Sequence, residues 1–357
     1  MAKRMSMPSQ LDTTTGAFVG WNPRPAASVY AIGPSDTGIL VGGDFAIANT
    51  TKATNLVAMN RANGQLTPIT VQGLPDPFYS PQTVEVVDQQ LYLSDGYTTV
   101  VVDRRTNQVL RTLEVTGSYG LHKVVPLGQR VFLGGFFSNA PPIVAYDRAT
   151  AQLLNWIPDL PADSILSDLQ SDRTHLFALV IENPYTNQTV QIYRINPLTG
   201  ASTPLSTAVS ANPPYQMAVC GSTIYLAGSF LFFQGQQRAG LAAIESTSGT
   251  LLPWVPILNL TTQQIRCGNG VVYIIGMPPI DVGELPNQRI IAVGQDDGIV
   301  LPWRVDLAPM QAYGVYGTIE GSGSELIVFG SLNAVNRVPV SGWRCSAMRL
   351  CLAINSH

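Results

Sequence analysis

The chain has 357 residues and a formal net charge of −3; 45% of its residues are apolar but only 12% are charged. Average soluble domains carry about 25% charged residues, so Ser, Thr, Asn and Gln must finish this surface. That balance excludes a disordered chain, which needs high charge and few apolar groups, and it offers no basic stripe for nucleic acid.

The first ten residues, "MAKRMSMPSQ", hold two basic residues but no apolar segment, so as they stand they are not a secretory leader. They read as an N-terminal extension, residues 1–10. At Leu11 the stretch "LDTTTGAFVGW" opens a unit that returns from Met59, Val102, Tyr146, Ile195, Ile244 and Val293, at intervals of 43 to 49 residues. Seven copies cannot be seven active sites, so the unit is structural. An apolar strand ends at its first position, and an Asp or Asn at the second folds back onto turn amides. Gly at the sixth (Gly16, Gly64, Gly200, Gly249, Gly298, with Asn107 once) supplies positive φ. Trp21, Trp156, Trp254 and Trp303 occupy the eleventh position, where a large ring can seal the gap between neighbouring sheets.

Some thirty residues after each turn comes a short apolar run that usually closes on Gly, as in "ILVGGDF" from Ile39, "VFLGGFF" from Val131 and "IYLAGSF" from Ile224. Continuous apolar character predicts a strand buried on both faces. With a further run before each, every unit offers about four strands, the content of one propeller blade. The expected fold is all-β: a single seven-bladed β-propeller of four-stranded antiparallel blades over residues 11–357. The C-terminal "RLCLAIN" stops where a turn should begin, which predicts that the N-terminal strand around Ala17–Trp21 completes the last blade and closes the ring.

The blade pattern resembles the bacterial delta-60 repeat β-propeller family. "LAAIESTSGTLLPWVP" from Leu241, and "LDTTTGAFVGWNP" with "ILVGGDF", carry the likeness. It covers nearly the whole chain but departs in the second to fourth units, where "LYLSDGY" and "LFALVIE" lose the glycine pair. The resemblance implies a propeller in a surface or secreted setting and implies no reaction. The eleven-residue unit also looks like the tryptophan-docking motif of quinoprotein dehydrogenases. That family implies eight blades, vicinal cysteines and calcium; this chain has no adjacent cysteines and seven units.

No catalytic constellation stands out. His122, His175 and His357 lie in different units or at the terminus and read as surface or hydrogen-bonded structural residues; no metal or cofactor is expected. "DDG" at Asp296–Gly298 lacks the spaced carboxylates of a calcium loop and reads as a turn. The sequons at Asn49, Asn187 and Asn259 are no more than chance supplies. Cys345 and Cys351 are too close along one segment to pair without a turn. Cys220 and Cys267 could bridge, but two free buried thiols are the plainer reading. No apolar run approaches the ~18 residues of a membrane span.

Aromatic, Pro-rich loops supply the binding candidates: "GLPDPFYSPQ" with Phe78 and Tyr79, "NPPYQ" with Tyr215, "FLFFQGQQ" with Phe232 and Phe233, and the final insertion with Trp343. The competing role is packing, as a plug in the ring's mouth. Their irregular placement favours one protein partner over repeated small ligands. The expected function is a non-enzymatic binding or assembly scaffold, outside the cell, at its surface or in a larger complex. The alternative is an enzyme, a hydrolase, a lyase or a quinoprotein-like oxidoreductase, with its site at the channel mouth and carboxylates such as Asp44, Asp95, Asp159 or Asp163 to serve it.

Overall fold

The computed structural model describes residues 9–355 apart from 13–17, 20–27, 36–37, 45–46, 49–50, 53–54, 60–65, 116–117, 139, 162, 184–188, 207–212, 259–260, 269, 278–287, 310–318, 323–324, 329–331, 336–337 and 340–351. Among the described residues every regular element is a β-strand. Seven of the sheets they form have three or more strands, and two short hairpins stand apart.

The first sheet runs Ser28–Ser35, Gly38–Asp44, Leu56–Met59, Leu66–Pro68, each strand antiparallel to the next. The second is Thr83–Val87, Gln90–Ser94, Thr98–Asp103, Gln108–Glu114. The third is Ser118–Leu127, Arg130–Phe137, Ile143–Asp147, and the fourth Ile165–Ser171, Leu176–Glu182, Thr189–Ile195, Ser202–Pro204. The fifth is Pro214–Cys220, Thr223–Gly228, Leu241–Glu245. The sixth begins Thr261–Gly268, Val271–Met277, Gln288–Gly294, Val300–Pro309. From the first sheet to the sixth, first strands of successive sheets lie side by side.

The second strands carry the apolar runs and are buried on both faces: Leu91 to Ser94, Val131 to Gly135, Leu176 to Val180 and Ile224 to Gly228. Each core cluster spans two neighbouring sheets. Phe132, Ile143 and Trp156 of the third pack with Leu166, Leu176 and Tyr193 of the fourth. Hydrophobic burial therefore joins sheets face to face around the molecule.

Four sheets depart from the expected four strands, two by losing the outer strand and two by gaining strands. In the third and fifth, the outer strand shrinks to one bridge, Tyr146 to Leu153 and Ile244 to Leu251. The chain leaves the edge early there to carry Trp156 and Trp254 across to the next sheet. The sixth gains strands instead, because Leu332–Val335 pairs with Val300–Pro309 and Val338–Pro339 pairs outside it. At the N-terminus, Ser9–Asp12 pairs in parallel with Leu352–Asn355, Leu11 opposite Ile354, and Phe18–Val19 lies outside it. Both the strand before the turn and Phe18–Val19, within the expected segment around 17–21, thus join the last sheet, but it is Ser9–Asp12 that lies next to Leu352–Asn355 and Phe18–Val19 that forms the edge. Leu11 and Ile354 both hold the first position of the repeat, so two equivalent strand ends sit in register.

The repeated turn has one hydrogen-bonding scheme wherever it is described. The amide at position six donates to the carbonyl at position two: Asn107 to Asp103, Ala151 to Asp147, Gly200 to Asn196, Gly249 to Glu245 and Gly298 to Gly294, at 2.8 to 3.2 Å. Asp103, Asp147 and Asn196 also accept turn amides on their side chains. In the last copy Gly stands at position two; Asp297 accepts the Ile299 amide at 2.9 Å instead, and its carboxylate lies where a Cβ on Gly294 would be. Position six needs glycine for space as well as φ. A Cβ on Gly200 or Gly249 would come within 2.2 Å of the Ile157 carbonyl or 1.6 Å of the Leu205 carbonyl.

Asn107 and Ala151 are the exceptions, held at φ 55° and 59°; asparagine tolerates that region and alanine does not. The left-handed region costs an L-residue roughly 1–2 kcal/mol, more than glycine's extra unfolded-state entropy. Ala151→Gly is therefore expected to stabilise the chain by about 0.5–1 kcal/mol. A denaturant midpoint unchanged or lowered would contradict it.

Candidate functional site

Strand alternation sends the second-to-third connections and the outer-to-first connections to the same end of every sheet. Tyr79, on the loop into the second sheet, is 59% exposed, and Tyr97, on a second-to-third connection, is 57% exposed. Their ring centroids lie 6.2 Å apart. One carboxylate holds both loops: the amides of Tyr79, Tyr97 and Thr98 donate to Asp95 at 2.9, 2.9 and 2.8 Å. Asp95 is buried, and with three amide donors its role is structural. Phe78 turns inward and packs half-buried against the cluster of Val84, Leu91 and Val100.

The segment after Gly228 forms a hairpin in which Phe232 faces Gln237 and Phe233 faces Gln236. Gln234 and Gly235 at its tip have φ 47° and 74°, the pair of positive values that a type I′ turn requires. Gln234 donates to the Gly249 carbonyl at 2.9 Å, and Arg238 to that of Leu252 at 3.2 Å, so the hairpin folds back along its own sheet. Alternation then splits its aromatics. Phe232 is 61% exposed, while Phe233 is buried against Phe230 at 5.6 Å.

Phe233 is thus a core residue and not part of an accessible surface. Tyr215 is also structural. It is the extra residue of a β-bulge, and its hydroxyl donates to the Thr262 carbonyl of the next sheet. Burial raises its pKa. Trp343 and Trp21 lie outside the described residues. Sequence reasoning missed Tyr97, although the D-G-Y turn between two apolar runs was a usable signal.

The tryptophans bridge sheets as expected where their surroundings are described. Trp254 is buried, meets Tyr225 edge-on at 5.0 Å and donates its indole N–H to the Gly294 carbonyl at 2.9 Å. Trp156 meets Phe132 at 5.0 Å, but its Nε1 has no partner. Trp303 stands on the strand Val300–Pro309.

Burial pushes the pKa of Tyr225 and of Tyr146 up from 10.0 to about 12. A raised folded-state pKa gives stability that is complete below the unfolded value and lost as pH rises through the folded one. The protein is therefore expected to lose stability between pH 10 and about 12, in step with tyrosinate absorbance. Flat stability across that window would contradict the burial of these two hydroxyls.

A polar axis runs through the first strands. Bulges recur just before Ala31, Lys123, Asp168, Gln216 and Gln264. Lys123 and Asp168 on neighbouring sheets form an ion pair at 3.2 Å. Asp168, buried, also accepts the amides of Leu169 at 2.9 Å and Met217 at 3.1 Å. The Oε1 atoms of Gln216 and Gln264 are buried without a partner. Beside this layer lies a cavity of about 170 Å³ lined by first-strand residues of the second to sixth sheets, among them Glu85, Lys123, Gln170, Arg266 and Cys267.

Cys220 and Cys267 are joined in a disulfide with Cα atoms 6.1 Å apart, which overturns the free-thiol reading. Cys220 is the last residue of the first strand of the fifth sheet and Cys267 the last but one of the first strand of the sixth, one residue apart in register, so strand adjacency brings them into bonding range.

The carboxylates Asp44, Asp159 and Asp163 are exposed. Among the described residues no three of His, Cys, Asp and Glu gather as a metal site. His175 is a hydrogen-bonded turn residue: its amide donates to Asp172 at 2.7 Å and its Nε2 meets Arg194 at 2.9 Å. His122 lies on the strand Ser118–Leu127, and His357 is outside the described residues. Among those residues no helix is long and apolar enough to cross a membrane.

Radially packed antiparallel sheets around a polar axis define a β-propeller, and solved structures agree. The β-propeller domain of the Trilobed protease from Pyrococcus furiosus, described as having an open velcro topology, is similar at a TM-score of 0.54 and 12% identity. That match covers 85% of this chain and 91% of that one. The computationally designed Ika8 protein matches at 0.52 and 13%, covering 85% and 93%. BamB from Moraxella catarrhalis matches at 0.50 and 11%, covering 92% of each chain. At these identities the likeness is one of fold. No family model and no curated protein matches the sequence.

Proposed function

We propose that this chain is a closed seven-bladed propeller that acts as a protein-binding or assembly scaffold, with the loop face bearing Tyr79, Tyr97 and Phe232 as its docking surface. The observation that carries the docking role is the Tyr79–Tyr97 pair. Two large aromatics stand exposed side by side, and Asp95, buried beneath them, fixes both loops. Rigid exposed aromatics are what partner anchors are made of, because little side-chain entropy is lost when they are covered. Phe136, next to last in the second strand of the third sheet, and Leu231, on a second-to-third connection, are also exposed at the same end.

Ring closure is supported at both ends. Ile319–Ser322 lies beside Ser28–Ser35, which returns the succession of first strands to its start. Ser9–Asp12 pairs with Leu352–Asn355. Residues 11–357 then form one domain built from units like those of delta-60 proteins. The disulfide supports an extracellular or cell-surface setting, since such bonds persist in oxidising compartments.

The test is a double substitution, Tyr79→Ala with Tyr97→Ala. Losses at anchor residues run to about 2 kcal/mol or more each, so partner affinity is expected to fall at least about tenfold while the thermal midpoint stays near wild type. Equal retention of the partner by the variant would remove this face from the account.

A further inference from the structure

We propose that the Tyr79–Tyr97 face takes a basic segment of its partner protein, with an arginine side chain laid over the two rings. The inference rests on the docking role proposed above for this face and names the chemistry of what docks there. More than half of each ring is open to solvent, and the centroids lie 6.2 Å apart with a tilt of 60°. A cation within about 6 Å of a ring centroid is drawn to the electron-rich face. At this separation one cation reaches both rings at once.

The charge around the pair sets the sign of the partner. The Asp95 carboxylate accepts the amides of both tyrosines at 2.9 Å, so it lies against the backbone of each. It is 1% exposed, and among the described residues no cation pairs with it. Amide donors satisfy its oxygens but carry no net charge. A negative charge therefore remains behind the rings, in a medium where its field is weakly screened.

The surrounding chain adds to that field and does not cancel it. Residues 72–82 and 94–98 hold Asp76 and Asp95 but no lysine or arginine. Glu114 stands opposite Thr98 in register, and no lysine or arginine follows it before Lys123. Asp76 and Glu114 are both exposed. An acidic partner would meet repulsion here, whereas a basic one is complementary in charge as well as in shape. Arginine suits the pair better than lysine. Its planar guanidinium is weakly hydrated and stacks on aromatic faces, and its edge N–H groups stay available to carboxylates at the rim.

The experiment titrates the full chain with end-blocked Gly-Arg-Gly-Arg-Gly and with its lysine and glutamate counterparts, followed by calorimetry. The arginine peptide is expected to bind with a Kd on the order of 1 mM or tighter, the lysine peptide more weakly, and the glutamate peptide at least about tenfold more weakly. Tyr79→Leu with Tyr97→Leu keeps apolar bulk but removes the aromatic faces, and should weaken the arginine peptide about tenfold with the thermal midpoint retained. Should that variant fail to fold, Tyr97→Leu alone and the wild-type comparison of the three peptides still decide the matter. No binding of the arginine peptide, equal binding of either counterpart, or unchanged affinity in the leucine variant would each overturn the proposal. If the natural partner is lost from Tyr79→Ala with Tyr97→Ala but no arginine preference is seen, the docking role stands and this proposal alone falls. If that partner is retained, both fall.

Discussion

Trp254→Ala is expected to destabilise the protein by about 3–5 kcal/mol, the usual cost of emptying a large buried aromatic site. The indole sits between two sheets, against Ala218, Tyr225 and Ala243 on one side and Ile265, Val272 and Val293 on the other. Removal opens a void at an inter-sheet seam beside the Gly298 turn, where a Cβ would lie 3.4 Å from the Trp254 ring. Trp254→Phe separates packing from hydrogen bonding. It keeps most of the ring but removes the shorter of the two hydrogen bonds to the Gly294 carbonyl, leaving the one from the Gly298 amide, whereas Trp156→Phe removes an indole N–H that has no partner. The first should therefore cost about 1–2 kcal/mol more than the second. Denaturant unfolding of both variants checks this; equal costs would mean that the Gly294 bond contributes nothing.

Loss of the Cys220–Cys267 bridge is the second large effect. The cysteines are 47 residues apart in sequence, and closing a loop of that size in the unfolded chain corresponds to about 4 kcal/mol of chain entropy. For a chain of this length that lowers the Tm by about 5 °C. The Cys220→Ser, Cys267→Ser double variant should show this shift without reductant, while wild type should show it only with reductant. A wild-type Tm indifferent to reductant would contradict the bridge.

The architecture was legible because it repeats. One turn chemistry, written seven times, announces the strand ends, and the apolar runs between them announce buried second strands. The deviations were not legible, since each is a tertiary choice. Nothing local in "LLNW" or "LLPW" says that the outer strand shrinks to a single bridge so that the tryptophan can reach the next sheet.

The candidate site was read less well. Phe232 and Phe233 are identical neighbours in sequence, and only the hairpin register sends one to solvent and the other to the core. Tyr215 looked like a surface aromatic beside two prolines, but a bulge turns it onto the next sheet. The disulfide was invisible as a motif because its cysteines sit on different repeats, offset by one residue, and only strand adjacency unites them. Lys123 and Asp168 were hidden for the same reason: they are 45 residues apart in the chain and 3.2 Å apart in space.

Whether the propeller works by holding another protein is read from the native mass of gently purified protein, with co-purifying chains identified. The prediction is a mass well above 38.3 kDa with one partner in fixed stoichiometry, lost when Tyr79 and Tyr97 are both replaced by alanine. A clean monomer at 38.3 kDa, unchanged by that substitution, would contradict it.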